Sequence, residues 1–311
     1  MKSSVKTTLK FKKEGDVSMV TSIMLGILGL FTAGFSVVFG RDIVKHKDQL
    51  EKETSTVVTG IIGFVVNFFD TLGIGSFAPT TAALRAFKQV KDRVIPGTLN
   101  VSCTIPVVIE AFIFIAAIEV EPLTLASMIA ASVVGSIVGA GIVSKLPEKK
   151  IQLVMGIALL ATALLMLSGQ MGWIANLGTG EAIGLSGVKL ITAIIGNFVL
   201  GALMTAGIGL YAPCMAFVYM LGMSPRVAFP IMMGSCAFLM PAASTKFVQE
   251  GAYNRKAALI INITGTIGVF IAAFLVKSLP LEILTWLVIL VVSYTAITLL
   301  RDSRKPAVAA E

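Results

Sequence analysis

Three runs in this chain carry no charge and are each long enough to cross a bilayer as a helix: Val17–Gly40, Ile151–Gly180 and Ala257–Val276. A crossing takes about 20 apolar residues. In lipid the backbone must satisfy its own hydrogen bonds, so only helices and closed barrels span it. Barrel strands alternate apolar and polar residues. These runs do not, and the sequence reads as an all-α integral membrane protein. Only 14% of its residues are charged, against about 25% in soluble domains. The net charge of +8 is no nucleic-acid signature, because the lysines and arginines cluster between apolar runs, where they orient a membrane protein. The first run is too long for a signal-peptide core and has no clear cleavage site after it, so it reads as a retained helix. Cys103, Cys214 and Cys236 all lie in apolar segments, and the one histidine, His46, lies in a charged loop. That pattern suggests neither a disulfide framework nor a structural metal.

The apolar stretches are interrupted twice by the same letters. Gly73–Pro79 reads GIGSFAP, and 134 residues later Gly207–Pro213 reads GIGLYAP. The likeness continues. Pro96, Ser102-Cys103 and Pro106 are echoed by Pro230, Ser235-Cys236 and Pro241. GSIVGAGIVSKLP (Gly135–Pro147) is echoed by GTIGVFIAAFLVKSLP (Gly265–Pro280), and an apolar helix closes each half. The organisation reads as a basic tail at 1–16, an extra transmembrane helix at 17–40, and a first four-element repeat at 57–168. A glycine-rich linker at 169–187, a second repeat at 188–300 and a polar tail at 301–311 follow.

Length predicts how each broken segment sits in the membrane. Leu190–Pro225 is 36 residues without a charge, roughly 54 Å of helix against a hydrocarbon core of about 30 Å. Two short arms meeting at the break fit better than one crossing. If each break is such a hairpin, loops 41–56, 85–93, 145–150, 246–256 and 301–305 share one side and hold 17 of the 25 lysines and arginines. The positive-inside rule favours that arrangement; the five lysines of the N-terminal tail go against it. A hairpin plus three crossings is an odd number, so the second repeat is expected upside down, as in the inverted repeats of many secondary transporters.

At a helix break, backbone groups lose their partners and must be buried in protein or line a wet cavity. Helix N-termini carry partial positive charge and free N–H donors, which suit an anion. Arms starting near Pro79 and Pro213 aim such ends at the breaks. The expected anion cradle is therefore Gly73, Gly75, Ser76 and Pro79 with Thr205, Gly207, Gly209 and Pro213. Thr98, Asn100, Ser102 and Cys103, with Ser235 and Cys236 in the second half, are candidate donors from the following helices. For each of these polar residues, close helix packing is the competing reading. Asp70 and Glu110 are carboxyls at membrane depth and candidates for proton coupling. The glycines of GSIVGAG read as a packing face.

Together these features resemble the sulfite exporter TauE/SafE family of membrane permeases. Its halves each open with a glycine-rich break followed by a proline, matched here by Gly73, Gly75 and Pro79, and by Gly207, Gly209 and Pro213. Gly135–Leu167 is similar to the family's end-of-half pattern, and LGMSPRVAF (Leu221–Phe229) to its link after the second break. The resemblance covers about residues 57–300 and leaves the helix at 17–40 outside. The family's glycine run is shortened here to GIGS and GIGL. The resemblance implies a small anionic substrate, a sulfur oxyanion or organosulfonate such as sulfite, exported across the cell membrane as the two halves rock around it.

The leading expectation is a secondary permease for such an anion, with the lipid bilayer and a coupling proton as its other partners and no cofactor. No G-x-x-x-x-G-K-[ST] loop for ATP occurs. A passive anion channel would use the same features. An intramembrane enzyme lacks an H-E-x-x-H motif and an evident nucleophile–base pair. A purely structural membrane subunit would tolerate filled breaks.

Overall fold

The computed structural model of the chain describes residues 2–72, 74–114, 120–173, 180–207, 209–275 and 281–305. Gly73, part of the linker, the echoed KSLP at 277–280 and the end of the C-terminal tail lie outside them. Among the described residues there are eleven α-helices and no strand. They are α1 Lys2–Lys45, α2 Thr56–Thr71, α3 Phe77–Ala86, α4 Ile95–Phe114, α5 Pro122–Val143, α6 Glu148–Gln170, α7 Gly187–Met204, α8 Tyr211–Met220, α9 Pro225–Gln249, α10 Arg255–Leu275 and α11 Leu281–Arg304. The helix that begins the chain runs on from Lys2, so the basic tail and the first apolar run form one element. Seven described helices are long and apolar enough to cross a membrane. Their exposed faces carry large apolar side chains such as Leu30, Val188 and Phe274, as a lipid-facing surface requires.

The two breaks are where the sequence puts them. Helix α2 stops at Thr71 and α3 starts at Phe77; α7 stops at Met204 and α8 starts at Tyr211. Gly75 (φ +88°) and Gly207 (φ +97°) turn the chain in the left-handed region, which costs other residues about 1–2 kcal/mol. Pro79 and Pro213 fall in the first turn of α3 and α8, where a missing N–H has no helical partner to lose. Each of these helices has ten residues, about 15 Å, half the thickness of the hydrocarbon core.

In both broken segments the two ends come together. The Thr54 hydroxyl, just before α2, donates to the Gln89 carbonyl just past α3 at 2.9 Å. In the second half Lys189 Nζ, in the first turn of α7, donates to the Leu221 carbonyl just past α8 at 3.2 Å. The five basic loops meet at one end. Arg85 pairs with Asp92 (2.9 Å) and Asp302 (2.8 Å), Lys149 Nζ donates to the Asp302 carbonyl, Asn254 donates to Thr54, and Arg255 pairs with Asp42 at 2.7 Å. At the opposite end the Glu121 N–H donates to Ile183 O and the Ser224 N–H to Ala182 O, both at 2.9 Å.

Glu121 also caps α5. Its carboxylate accepts from the N–H groups of Leu123 (3.2 Å) and Thr124 (2.7 Å) and from the Thr124 hydroxyl (2.7 Å). Partial burial pushes its pKa up, but these bonds outweigh it and hold the carboxyl below the usual glutamate value. The stabilisation is therefore present at neutral pH and lost as pH falls through that lowered value. Glu121→Gln is expected to cost about 0.5–1 kcal/mol at pH 7, at the low end of capping effects because the site is still partly open to solvent. Thermal melts at pH 7 and near pH 3 check this; the difference between the proteins should vanish in acid.

The helices pair across the two halves. Helix α2 packs on α10 and α7 on α5; α4 packs on α10 and α9 on α5; α3 meets α11 and α8 meets α6. Exchanging each helix for its counterpart in the other half converts each of these pairs into another on the same list, while α4–α9 and α6–α11 map onto themselves. Proline-bearing α4 and α9 form the centre: 83% of their spanning windows is buried, against 22% for α1. Small residues make the α5–α7 crossing close. A Cβ on Gly135 would lie 2.0 Å from the Phe198 carbonyl oxygen, and one on Gly201 2.2 Å from that of Ser132. Neither half therefore contains the wall that these glycine faces need.

Candidate functional site

The starts of α3 and α8 open on one cavity of about 40 Å³. Asp70 and the stretch Ile74–Ala78 line it from the first break, and Gly209–Tyr211 from the second. Val107 of α4, Thr162 and Met166 of α6, Met204 of α7 and Cys236 of α9 complete the wall. The first N–H groups of a helix have no intrahelical partner, so both short helices present donors here. No lysine, arginine or histidine is among the lining residues.

Two carboxyls stand at this point. Asp70, in the last turn of α2, is 1% exposed and neither of its oxygens has a hydrogen-bond partner. Ser76, at the start of α3, is its nearest polar neighbour across the break. Glu110 of α4 is fully buried behind it. Its Oε1 lies 2.9 Å from the Thr71 hydroxyl, and its Oε2 accepts from the Tyr211 hydroxyl at 3.3 Å. Cys103 of α4 lies beside Ser102, 3.7 Å from its hydroxyl, and beside Ser76. The Cys236 thiol points to Met204 Sδ at 3.8 Å. All three cysteines are free thiols.

Of the residues expected from the sequence, the structure brings Asp70, Gly75, Ser76, Gly209 and Cys236 to the cavity, with Cys103 and Glu110 against it. Gly207 makes the second turn and abuts Met155 instead. Pro79 and Pro213 shape the arms but do not line the cavity. Thr98 sits near the basic end, where it donates to Val94 O and accepts the Asn254 N–H. Asn100 donates to Pro96 O, Ser102 to Leu99 O and Thr205 to Ala202 O. Ser235 accepts from Asn197 Nδ2, which also donates to Met128 O. Tyr211, Thr71 and Asn197 were not singled out from the sequence. Thr71 and Thr205 precede the two breaks at matching positions, a signal that was available. Nothing local marks Tyr211 as a partner of Glu110.

A larger cavity of about 910 Å³ lies at the basic end, with Arg85, Lys88, Lys91 and Tyr294 on its wall. Ala82 of α3 borders it, and Ala78, one turn earlier, borders the small one.

The model of one protein family, Sulfite exporter TauE/SafE, matches residues 15–166 and 189–311. The chain belongs to the sulfite exporter TauE/SafE family. No curated protein and no solved structure matches it. The gap in the family match falls on the linker between the halves. The match begins at residue 15, which corrects the expectation that the resemblance starts at about residue 57. The spanning part of α1 belongs to the TauE/SafE pattern, although it has no counterpart within the repeat. Membership and the seven candidate spans make the chain an integral membrane permease. TauE/SafE proteins are transporters of sulfur-related anions rather than enzymes.

Proposed function

We propose that this TauE/SafE protein is a secondary transporter that exports a small sulfur oxyanion or organosulfonate, such as sulfite, binding it between the paired helix breaks near the membrane midplane. The observation that carries the reading is that α3 and α8, two ten-residue helices from matching breaks, start at the same cavity. Gly75, Ser76, Gly209 and the first N–H groups of both arms would hold the oxyanion, with Tyr211 and Cys236 bordering it.

The repeats are read as inverted: the first hairpin returns to the basic end and the second to the opposite end, which supports opposite orientations. Positive charge makes the basic end cytoplasmic, and the large cavity there is then the approach from the cell interior. Alternating access is carried by α6 and α11 with the arms α3 and α8, moving against the other helices. A proton gradient supplies the energy.

Proteoliposomes test this. With sulfite inside, efflux should exceed that of empty liposomes and should change when a pH gradient is imposed. Flux that runs downhill at the same rate whatever the gradient would make the protein a channel. No flux of sulfite, thiosulfate or sulfonates would sink the reading. Binding can be checked first by melting: a ligand at 100 times its Kd adds about 2.7 kcal/mol of stability.

A further inference from the structure

Helices α3, α6, α8 and α9 end on the same kind of turn, closed by one residue in the left-handed region and two backbone bonds. After α3 the Lys88 N–H donates to Arg85 O (3.0 Å) and the Gln89 N–H to Leu84 O (2.8 Å); Gly172, Gly222 and Gly251 take the place of Lys88 after the other three. Glycine suits this position because any Cβ there crowds the following carbonyl. Lys88 (φ +51°) is the only non-glycine residue with positive φ among the described residues. Its counterpart 134 residues on, at the end of α8, is Gly222 (φ +84°). The first half therefore carries a strained lysine where the second half carries the residue the turn prefers. Gln89 holds the turn in place: its Oε1 accepts the Ser55 N–H at 2.7 Å, and its Nε2 donates to Phe87 O at 2.6 Å.

Lys88 and Lys91 both line the large cavity at the basic end, and neither ammonium has a hydrogen bond or ion pair among the described residues. Both arginines of that wall are held by partners: Arg85 by Asp92, Asp302 and the Thr298 hydroxyl, and Arg255 by Asp42. The wall's carboxylates are Asp92, tied to Arg85 and Gln152, Glu51, which accepts the first N–H groups of α10, and Glu53, beside Lys52 in sequence. The end of a helix carries partial negative charge, so the end of α3 would repel an anion entering the cavity, and Lys88 offsets that charge. A lysine serving only the helix end would bond to its last carbonyls. Lys189 does this at the end of α8, donating to Leu221 O; Lys88 does not.

We propose that Lys88 and Lys91 form an outer anion site in the large cavity, at which a small oxyanion from the cell interior binds before it passes along α3 to the inner cavity. The inference rests on the reading of the protein as an exporter of such anions. Helix α3 is the shared wall, with Ala82 and Arg85 on the large cavity and Ala78 on the small one. An open site of this kind binds weakly and exchanges fast, as an entry site must. One lysine about 4 Å from a monoanion in water contributes roughly fivefold in affinity. The site concentrates the anion next to the inner cavity, while the gradient sets the direction of net flux.

Acetylation of lysines in the full chain in detergent, read residue by residue by mass spectrometry, tests the site without transport. Ethanesulfonate or sulfate replacing chloride at constant ionic strength should slow labelling of Lys88 and Lys91, by about twofold when the anion concentration equals its Kd. Lys47, which is not on the cavity wall, should be unaffected. Labelling of Lys88 that neither anion slows overturns the proposal. Lys88→Gly supplies the second measurement. Glycine is what the turn prefers, so its melting temperature should equal or exceed that of the wild type, and a purely structural lysine would leave transport unchanged. Instead the KM for sulfite efflux from proteoliposomes should rise about fivefold at low salt. The difference should shrink toward 1 M salt, where the screening length is about 3 Å. Lys88→Arg keeps both the charge and the strain and should keep the wild-type KM. An unchanged KM in Lys88→Gly overturns the outer site and leaves the inner one standing. Protection of Lys88 in a protein that moves no sulfite, thiosulfate or sulfonate would instead sink the transport reading and leave the outer site standing.

Discussion

Gly209→Val is expected to weaken anion binding by one to two orders of magnitude while leaving the empty protein's melting temperature close to wild type. A Cβ built on Gly209 meets nothing within 4 Å, and the residue lines the small cavity. Its backbone is not in the left-handed region. A valine there extends into the space the anion needs without straining the turn. Overpacking of a filled site costs about 1–3 kcal/mol, or roughly 5- to 150-fold in Kd. Gly75 also has open space, but its φ of +88° adds backbone strain to any side chain, so Gly75→Val should lose both binding and stability. Thermal shift and calorimetry with sulfite and thiosulfate separate the two variants. Wild-type affinity in Gly209→Val would show that the anion binds elsewhere.

Gly135→Leu is expected to be the most destabilising single change on the α5–α7 crossing, at or above the upper end of the 1–3 kcal/mol typical of overpacking. Its Cβ would meet a backbone oxygen at 2.0 Å, and a carbonyl in a neighbouring helix cannot move aside as a flexible side chain would. Gly141, on the same helix, is the control. Its Cβ would lie 3.8 Å from Lys246 Cε, ordinary contact, so Gly141→Ala should be neutral or slightly stabilising. Unfolding followed by loss of helical signal in mixed micelles measures both. Equal stability of Gly135→Leu and Gly141→Ala would mean the two helices do not approach this closely in the membrane.

Much of this arrangement is legible in the sequence because it is written locally. Uncharged runs mark the spanning helices, the glycine–proline breaks mark α3 and α8, and the length of Leu190–Pro225 points to a hairpin. The glycines Gly135 and Gly139 lie against α7, as their spacing suggests, while Gly141 in the same motif turns toward Lys246. Asp70 and Glu110 stand out because carboxyls are rare at that depth. What they touch is not legible, since Thr71 and Tyr211 lie 39 and 101 residues from Glu110, and only packing brings them together. Thr98 and Asn100 carry the same kinds of donor as a binding site, yet their side chains serve backbone carbonyls one turn earlier. Small polar residues in membrane helices commonly do this, and composition cannot tell the two uses apart.

The exchange of partners between halves also sets the order in which the chain can be completed during synthesis. Helix α2 begins at Thr56, and the wall it packs on, α10, begins at Arg255. At about 5–20 residues per second the ribosome delivers that wall roughly 10–40 s after α2 has emerged. Through that interval the notch at Gly63, which in the finished protein holds Ile261 and Thr264, has only lipid or an insertion chaperone to fill it. A chain stopped in the linker would therefore contain a complete repeat and still have no part able to close on itself.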